Sequence, residues 1–328
     1  MNPRERVPLG RTALTVTRFG LGTAPLAGLF EAVEESRGVA VIERAWNSGI
    51  RSFDTAPLYG HGLAEIRVGK ALKNKPRDDF TLATKVGRLL RADVPPEPGQ
   101  SFRGTPPVNP VFDFSYDGVM RSVEESLERL GLERIDILHI HDPDDHYPEA
   151  LDGAYRALDR LRSDGVIRAV GAGMNQAEML TRFAREANFD CFLLAGRYTL
   201  LDQVALKELL PECVERGIAI IAGGVYNSGI LADPKQDAHY NYQTAPADLI
   251  VRARRILDVC TRHNVPLKAA AVQFPLGHPA VSCVVVGCRS VAQLDESIEM
   301  FEFKIPPALW DDLKSAGLLP ENAPTPDS

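Results

Sequence analysis

The sequence predicts an α/β fold of the (β/α)8 TIM-barrel type, formed as a single domain over residues 1–328. Three observations carry this prediction. Short apolar runs rich in Val, Ile and Leu recur eight times, as strands buried on both faces require. Each is followed by an amphipathic stretch, the pattern of a parallel sheet covered by helices. Most begin roughly 25 to 35 residues after the previous run, the length of a βα repeat. An open doubly wound sheet is the alternative. Against it, Gly20-Leu21-Gly22-Thr23-Ala24-Pro25 breaks off where a GxGxxG-type dinucleotide-binding helix would begin.

The predicted strands run from Val16 to Gly22, Gly49 to Phe53, Phe80 to Lys85, Ile135 to Ile140, Val166 to Ala172, Cys191 to Ala195, Ile218 to Ala222 and Ser282 to Val286. The predicted helices run from Glu34 to Ser48, Leu63 to Lys73, Ser115 to Leu130, Pro148 to Ser163, Gln176 to Ala187, Leu206 to Arg216 and Asp248 to His263. Gly49, Asn74, Gly131 and Gly217 follow several of them, as residues suited to a left-handed C-terminal cap. Two segments interrupt the repeat. Residues 88–115, with DVPPEPGQSFRGTPPVNP, cannot form a regular helix because proline lacks the amide donor, so they read as a loop over the barrel mouth. Residues 226–247 read as a second long loop at a strand exit. From Pro306 a last helix reaches Ser315, and the C-terminal tail at 319–328 ends in a frayed PTPDS.

Composition narrows the function classes. A net charge of −7 without a basic stripe argues against a nucleic-acid partner. No apolar run is long enough to span a membrane, and the N-terminus lacks a signal-peptide pattern. Five cysteines without a CxxC pair point to a reducing compartment rather than a disulfide framework. The expectation is a soluble cytoplasmic enzyme, monomeric or a small homo-oligomer, with a small-molecule substrate.

In such a barrel the chemistry sits at the C-terminal ends of the strands. Strand two ends in Asp54 and continues to Tyr59, strand three ends in Lys85, and strand four ends in His141. A phenol titrates near pH 10, so it needs help to exchange a proton near neutrality. A neighbouring ammonium stabilises the phenolate, and a carboxylate holds that ammonium in place. His141 can donate a hydrogen bond to the reacting oxygen. Taken singly, Tyr59 also reads as a rim aromatic and Asp54 as a turn cap; Lys85 on an apolar strand needs a partner. The joint arrangement makes them candidates. The segment from His139 to His146 also resembles a metal-ligand cluster, but strands five to eight end near Gly173, Asn175, Tyr198, Gly223 and Gly287, which supply no second half of a site. No metal is expected, and His139 reads as a core histidine beneath the site.

FDTAPLYG at 53–60, ATKVG at 83–87, IDILHIHDP at 135–143 and GAGMN at 171–175 resemble, in this order, the aldo-keto reductase family. The resemblance implies a (β/α)8 barrel, an extended NAD or NADP bound without a Rossmann motif, and a catalytic tetrad of Asp54, Tyr59, Lys85 and His141. It also implies a cofactor site. Gly22, Thr23 and Asp54 fall on its first part, Asn175 on the carboxamide position and Tyr198 on the aromatic that stacks on nicotinamide. The usual Ser before the Asn is Met174, and a usual Gln is Ala195. Tyr226, Asn227, Ser228, Gly229 and Leu231 match a loop over the pyrophosphate, with Ser228 and backbone amides as donors. Gly287, Arg289, Gln293 and Glu296 fall at the adenosine end. Gln293 replaces an Arg often used for a 2'-phosphate, which favours NAD.

Within the family, VPLGRTALTVTRFGLGTAPLAGLF and GGVYNSGIL resemble the D-threo-aldose 1-dehydrogenase (L-fucose dehydrogenase) and pyridoxal 4-dehydrogenase branch. This implies oxidation of an aldose such as L-fucose or D-arabinose, or of pyridoxal, as its cyclic hemiacetal. The alternatives are an NADPH-dependent aldehyde or ketone reductase and a non-catalytic subunit that senses nicotinamide redox state.

Overall fold

A computed structural model describes residues 1–96, 99–241 and 243–326. Parts of the two long loops, at 97–98 and 242, and the last two residues of the tail lie outside the described residues. Eight parallel strands close into a barrel: β1 (Phe19–Gly22), β2 (Ser52–Asp54), β3 (Thr81–Val86), β4 (Ile137–His141), β5 (Ala169–Met174), β6 (Cys191–Ala195), β7 (Ala219–Gly223) and β8 (Val281–Gly287). Each strand pairs with its neighbours in sequence, and β8 closes on β1.

Around the barrel lie α1 (Glu35–Asn47), α2 (Leu63–Leu72), α3 (Tyr116–Leu130), α4 (Arg156–Ser163), α5 (Ala177–Glu186), α6 (Leu209–Arg216), α7 (Ala247–Arg262), α8 (Leu267–Gln273), α9 (Val291–Glu302) and α10 (Pro307–Ser315). α3 shows why these segments are helical. Ser115 accepts the Gly118 amide at its start, Gly131 takes the left-handed conformation at its end, and Val119, Val123 and Leu130 recur on its buried face. Burying each such side chain contributes about 1.5–3 kcal/mol. Gly217 caps α6 in the same way. Asn74 does not do so after α2: the cap is Lys73 in the right-handed region, and Asn74 is not among the positive-φ residues.

The core has two compartments. Outward-facing strand residues such as Leu82, Leu138, Phe192 and Ile220 pack against the helices. Inward-facing Ala83, Ile137, Ala169, Cys191, Leu193, Ala219, Ile221 and Cys283 form a separate cluster with Leu9, Leu14 and Val16. These last three come from an N-terminal hairpin, Arg6–Pro8 against Thr15–Thr17, that plugs the bottom of the barrel. The predicted first strand therefore splits. Residues 15–17 belong to the plug, whose apolar Val16 mimics strand pattern, and the barrel strand starts at Phe19.

With the bottom filled, side chains reach open space only at the C-terminal ends of the strands. There, residues 88–115 carry a hairpin, Arg88–Arg91 paired with Asn109–Phe112, where irregular loop was expected. Pro110 is tolerated because the two-stranded ladder leaves one edge unpaired. Phe102 from the same segment lies 6.1 Å from the Tyr59 ring, so the loop does lie over the mouth. Residues 226–247 carry a short turn, Asn227–Gly229, and a two-residue ladder between His239–Tyr240 and Gln243–Thr244. The tail is not frayed through Pro326: Ala323 and Pro326 are buried, and a Cβ on Gly277 would lie 2.6 Å from the Pro326 nitrogen. Among the described residues no helix is long and apolar enough to cross a membrane.

Candidate active site

The register of β2, β3 and β4 brings the four predicted residues to one place. Asp54 pairs across to Ala83, and Lys85, two residues on, pairs to His139; His141 follows two residues later on the same face of β4. Lys85 Nζ donates to Asp54 Oδ1 at 2.9 Å, to Asp54 Oδ2 at 2.8 Å and to the Thr55 carbonyl at 2.8 Å. These contacts match all three ammonium donors. Nζ also lies 4.6 Å from the centre of the Tyr59 ring, and that ring meets the His141 ring edge-on at 5.8 Å. Tyr59 itself is half-buried, while Lys85 is 1% exposed and Asp54 5%.

Burial dominates the electrostatics. It pushes the Asp54 carboxyl above the usual carboxylate range, and the Lys85 ammonium opposes that shift. His141 is held well below the ordinary histidine value by burial, then by the cations Arg88 and Lys85. It is therefore neutral at pH 7, with one N–H to give. The Asp142 carboxylate, 3.4 Å from Nε2, favours that proton on Nε2. His139 lies beneath, pushed down to about 3 by burial and Lys85, with its ring against Gly171. It occupies the core position expected of it.

The residues expected around a cofactor divide. The ends of β1, β5, β7 and β8 carry Gly22, Gly173, Gly223 and Gly287, and β6 ends in Ala195. No side chain larger than methyl rises from these positions, so the rim that runs on from the tetrad strands suits a flat ring. A Cβ at Gly173 would lie 3.6 Å from Lys85 Cε, which shows how near this bare wall comes to the polar cluster. Asn175 follows β5 on the rim, half-buried. Ser228 is exposed, with φ of 59°, inside a turn where Asn227 also has positive φ.

Three expectations need correction. Tyr198 cannot offer a ring face to a nicotinamide as it stands, because it is 1% exposed and packs outward against Phe274 at 5.1 Å and His278 at 5.6 Å. Thr23 is fully buried, and its hydroxyl donates to the Asp54 carbonyl at 2.9 Å; it anchors the end of β2 instead of facing a ligand. The amides of Asn227, Gly229 and Leu231 donate to Gly224 and Tyr226 carbonyls within their own turn, and Leu231 is fully buried. The amides at 227, 229 and 231 are thus engaged within the turn, and Ser228 lies at the surface. At the adenosine end, Gln293 accepts the Arg289 amide at 2.8 Å, the Arg289 guanidinium donates to the Leu29 carbonyl at 3.1 Å, and Glu296 pairs with Lys268 at 2.7 Å.

Comparison with known proteins follows from this geometry. The sequence model of the Aldo/keto reductase family matches residues 18–317. The chain belongs to the aldo/keto reductase family. A pyridoxal 4-dehydrogenase of Microbacterium luteolum is 44% identical, over 96% of this chain and 98% of that protein. A D-threo-aldose 1-dehydrogenase of a Pseudomonas species is also 44% identical, over 94% of this chain and 96% of the relative. Among solved structures, an aldo-keto reductase from Bacillus halodurans superposes with a TM-score of 0.76 at 24% identity, covering 99% of this chain and 98% of the other.

This aldo/keto reductase is an oxidoreductase of the kind that acts on CH–OH or carbonyl groups with a nicotinamide cofactor. The tetrad can move a proton at Tyr59, hold a fixed cation beside it and orient an oxygen with His141. Two residues at the mouth were missed from sequence. Asp142 was read only as part of a metal-like run, and Arg88 only as the start of a loop; the signal available was a charged residue directly after His141 and another three residues after Lys85. The metal-like run itself disperses. His139 points below, His141 to the mouth, His146 against Phe112 and Phe114, and Asp144 accepts from Gln176. Among the described residues no group of three or more His, Cys, Asp or Glu could hold a metal ion.

Proposed function

We propose that this aldo/keto reductase oxidises the cyclic hemiacetal of an aldose such as L-fucose or D-arabinose, or of pyridoxal, to the lactone, with NAD favoured over NADP. The observation that carries the reading is the buried Asp54–Lys85 pair set 4.6 Å from the Tyr59 ring at the open end of the barrel. The relatives whose names specify pyridoxal and a D-threo-aldose support the substrate class, since both substrates form a cyclic hemiacetal.

The bare rim of Gly22, Gly173, Ala195, Gly223 and Gly287, with Asn175 and Ser228, would hold the cofactor. When bound, the nicotinamide supplies the acceptor for the hydride. Tyr59 takes the hydroxyl proton of the hemiacetal. Lys85, locked by three acceptors, stabilises the phenolate that accepts this proton and becomes the neutral phenol. Neutral His141 donates Nε2–H to the reacting oxygen and orients it. Loss of the hydroxyl proton and of hydride from the same carbon leaves the lactone carbonyl. NAD is favoured because Lys268 is already paired with Glu296 and one Arg289 amino group is turned onto the Leu29 carbonyl. A second phosphate would meet the Glu296 carboxylate. The five cysteines, all free and buried, suit a reducing cytoplasm.

The test is NADH production by pure protein mixed with NAD and L-fucose, D-arabinose or pyridoxal. Silence with all three, alongside rapid NADPH oxidation with aromatic aldehydes, would replace this reading with that of a reductase. Tyr59→Phe is expected to abolish turnover while cofactor binding, followed by protein fluorescence, persists; unchanged turnover would show that the proton goes elsewhere.

A further inference from the structure

We infer that Asp142 and Arg88 form a recognition pair for the hydroxyl next to the reacting carbon, which selects polyhydroxylated sugar hemiacetals over pyridoxal. The inference rests on the reading of the site as a hemiacetal dehydrogenase and names its substrate class.

Asp142 follows His141 directly and has φ of 42°, in the left-handed region that an L-residue occupies at a cost of about 1–2 kcal/mol. Its amide donates to the Gly173 carbonyl at 3.0 Å, which pins the turn. The result is a carboxylate folded back toward the mouth, with Oδ2 3.4 Å from His141 Nε2 and 3.2 Å from Arg88 Nη2. Arg88 arrives independently, on the hairpin that leaves β3. Its guanidinium lies 4.6 Å from the centre of the Phe112 ring, and its Nε is buried without a hydrogen-bond partner. An acceptor and a donor are therefore held side by side, next to the nitrogen that must face the reacting oxygen.

A hydroxyl is both donor and acceptor, so such a pair is matched to it. In an aldose hemiacetal the neighbouring carbon carries a hydroxyl one hydrogen-bond length from the reacting oxygen. With that oxygen on His141 Nε2, the neighbouring O–H donates to Asp142, and an Arg88 N–H donates to its lone pair. In the pyridoxal hemiacetal the neighbouring carbon is an aromatic ring carbon with no hydroxyl. Burial pushes the Asp142 carboxyl up to about 6; Arg88 and Lys85 oppose the shift and Asp144 adds to it, while His141 faces it uncharged. The sugar KM should therefore rise as pH falls below about 6.

The experiment is a steady-state comparison of wild type, Asp142→Asn and Arg88→Lys on L-fucose, 2-deoxy-L-fucose and pyridoxal. It is paired with calorimetric titration of L-fucose into NAD-loaded protein. For L-fucose, kcat/KM should drop by roughly ten- to a hundredfold in either variant, mainly through KM. Wild type should show a similar drop on the 2-deoxy sugar, with little further loss when protein and substrate changes are combined. Equal losses on all three substrates would overturn the pair, showing that Asp142 only orients His141; so would L-fucose binding as tight in the variants as in wild type. If wild type makes no NADH from any substrate yet binds L-fucose through Asp142, the dehydrogenase reading falls and the recognition pair stands.

Discussion

Lys85→Met removes the cation that Asp54 holds beside Tyr59, and the structure sets the size of two separate effects. Taking the 4.6 Å from Nζ to the Tyr59 ring centre as the scale of the separation, and an effective dielectric of about 20, the ammonium stabilises charge on the phenol by about 3–4 kcal/mol. Losing this should lower kcat by about two to three orders of magnitude. The second effect is on folding. Asp54, 5% exposed, loses the donor to both its oxygens. Breaking a buried pair from one side costs about 3–5 kcal/mol. The sign with pH follows from burial, which raises the Asp54 carboxyl even with Lys85 present and raises it further without it. An acid raised in the folded state keeps its proton while the unfolded chain releases it, so stability is greatest below the unfolded value and is lost as pH rises through the folded one. The variant should therefore come close to wild type near pH 4–5 and show its full deficit toward pH 8. Urea midpoints at pH 5 and 8, with NADH production as the parallel readout, check both parts. A deficit that is the same at the two pH values, or turnover within tenfold of wild type, would refute the reasoning.

Two further predictions concern the rim and the floor of the site. Gln293→Arg places a guanidinium where Gln293 now accepts the Arg289 amide; kcat/KM with NADP should rise by roughly tenfold relative to NAD, measured with L-fucose as substrate, and no change in the ratio would remove this position from cofactor choice. Gly171→Ala puts a Cβ 2.2 Å from His139 Nδ1, and this overpacking should cost about 1–3 kcal/mol in denaturant unfolding. Adding His139→Ala should recover part of the loss; strict additivity would mean that the two side chains do not share this space.

The parts legible in the sequence were those encoded locally. Each of the eight runs overlaps a barrel strand because burial on both faces demands apolar or small side chains, which β5 meets with Ala and Gly as well as Val. Asp54, Lys85 and His141 were legible because each is a polar residue ending such a run, where the barrel opens. The errors share a different cause. Val16 looked like part of the first barrel strand because plugging the barrel floor needs the same apolar side chains as lining it. Tyr198 looked like a cofactor platform from its place after strand six, but its ring is buried against Phe274. The amides after Tyr226 looked available because sequence does not show which carbonyls a turn returns to.

What the chain determined alone was the repeat, and with it the end of the barrel at which the candidate acid-base residues lie, since hydrophobic burial is read residue by residue. Only the folded molecule decided which polar groups remain to meet a ligand. Thr23, the loop amides and Tyr198 are consumed by neighbours distant in sequence or hidden in a turn, while Asp142 and Arg88 are delivered by a left-handed residue and a hairpin. Hydrogen-bond partners are a property of three-dimensional proximity, and no spacing along the chain fixes them.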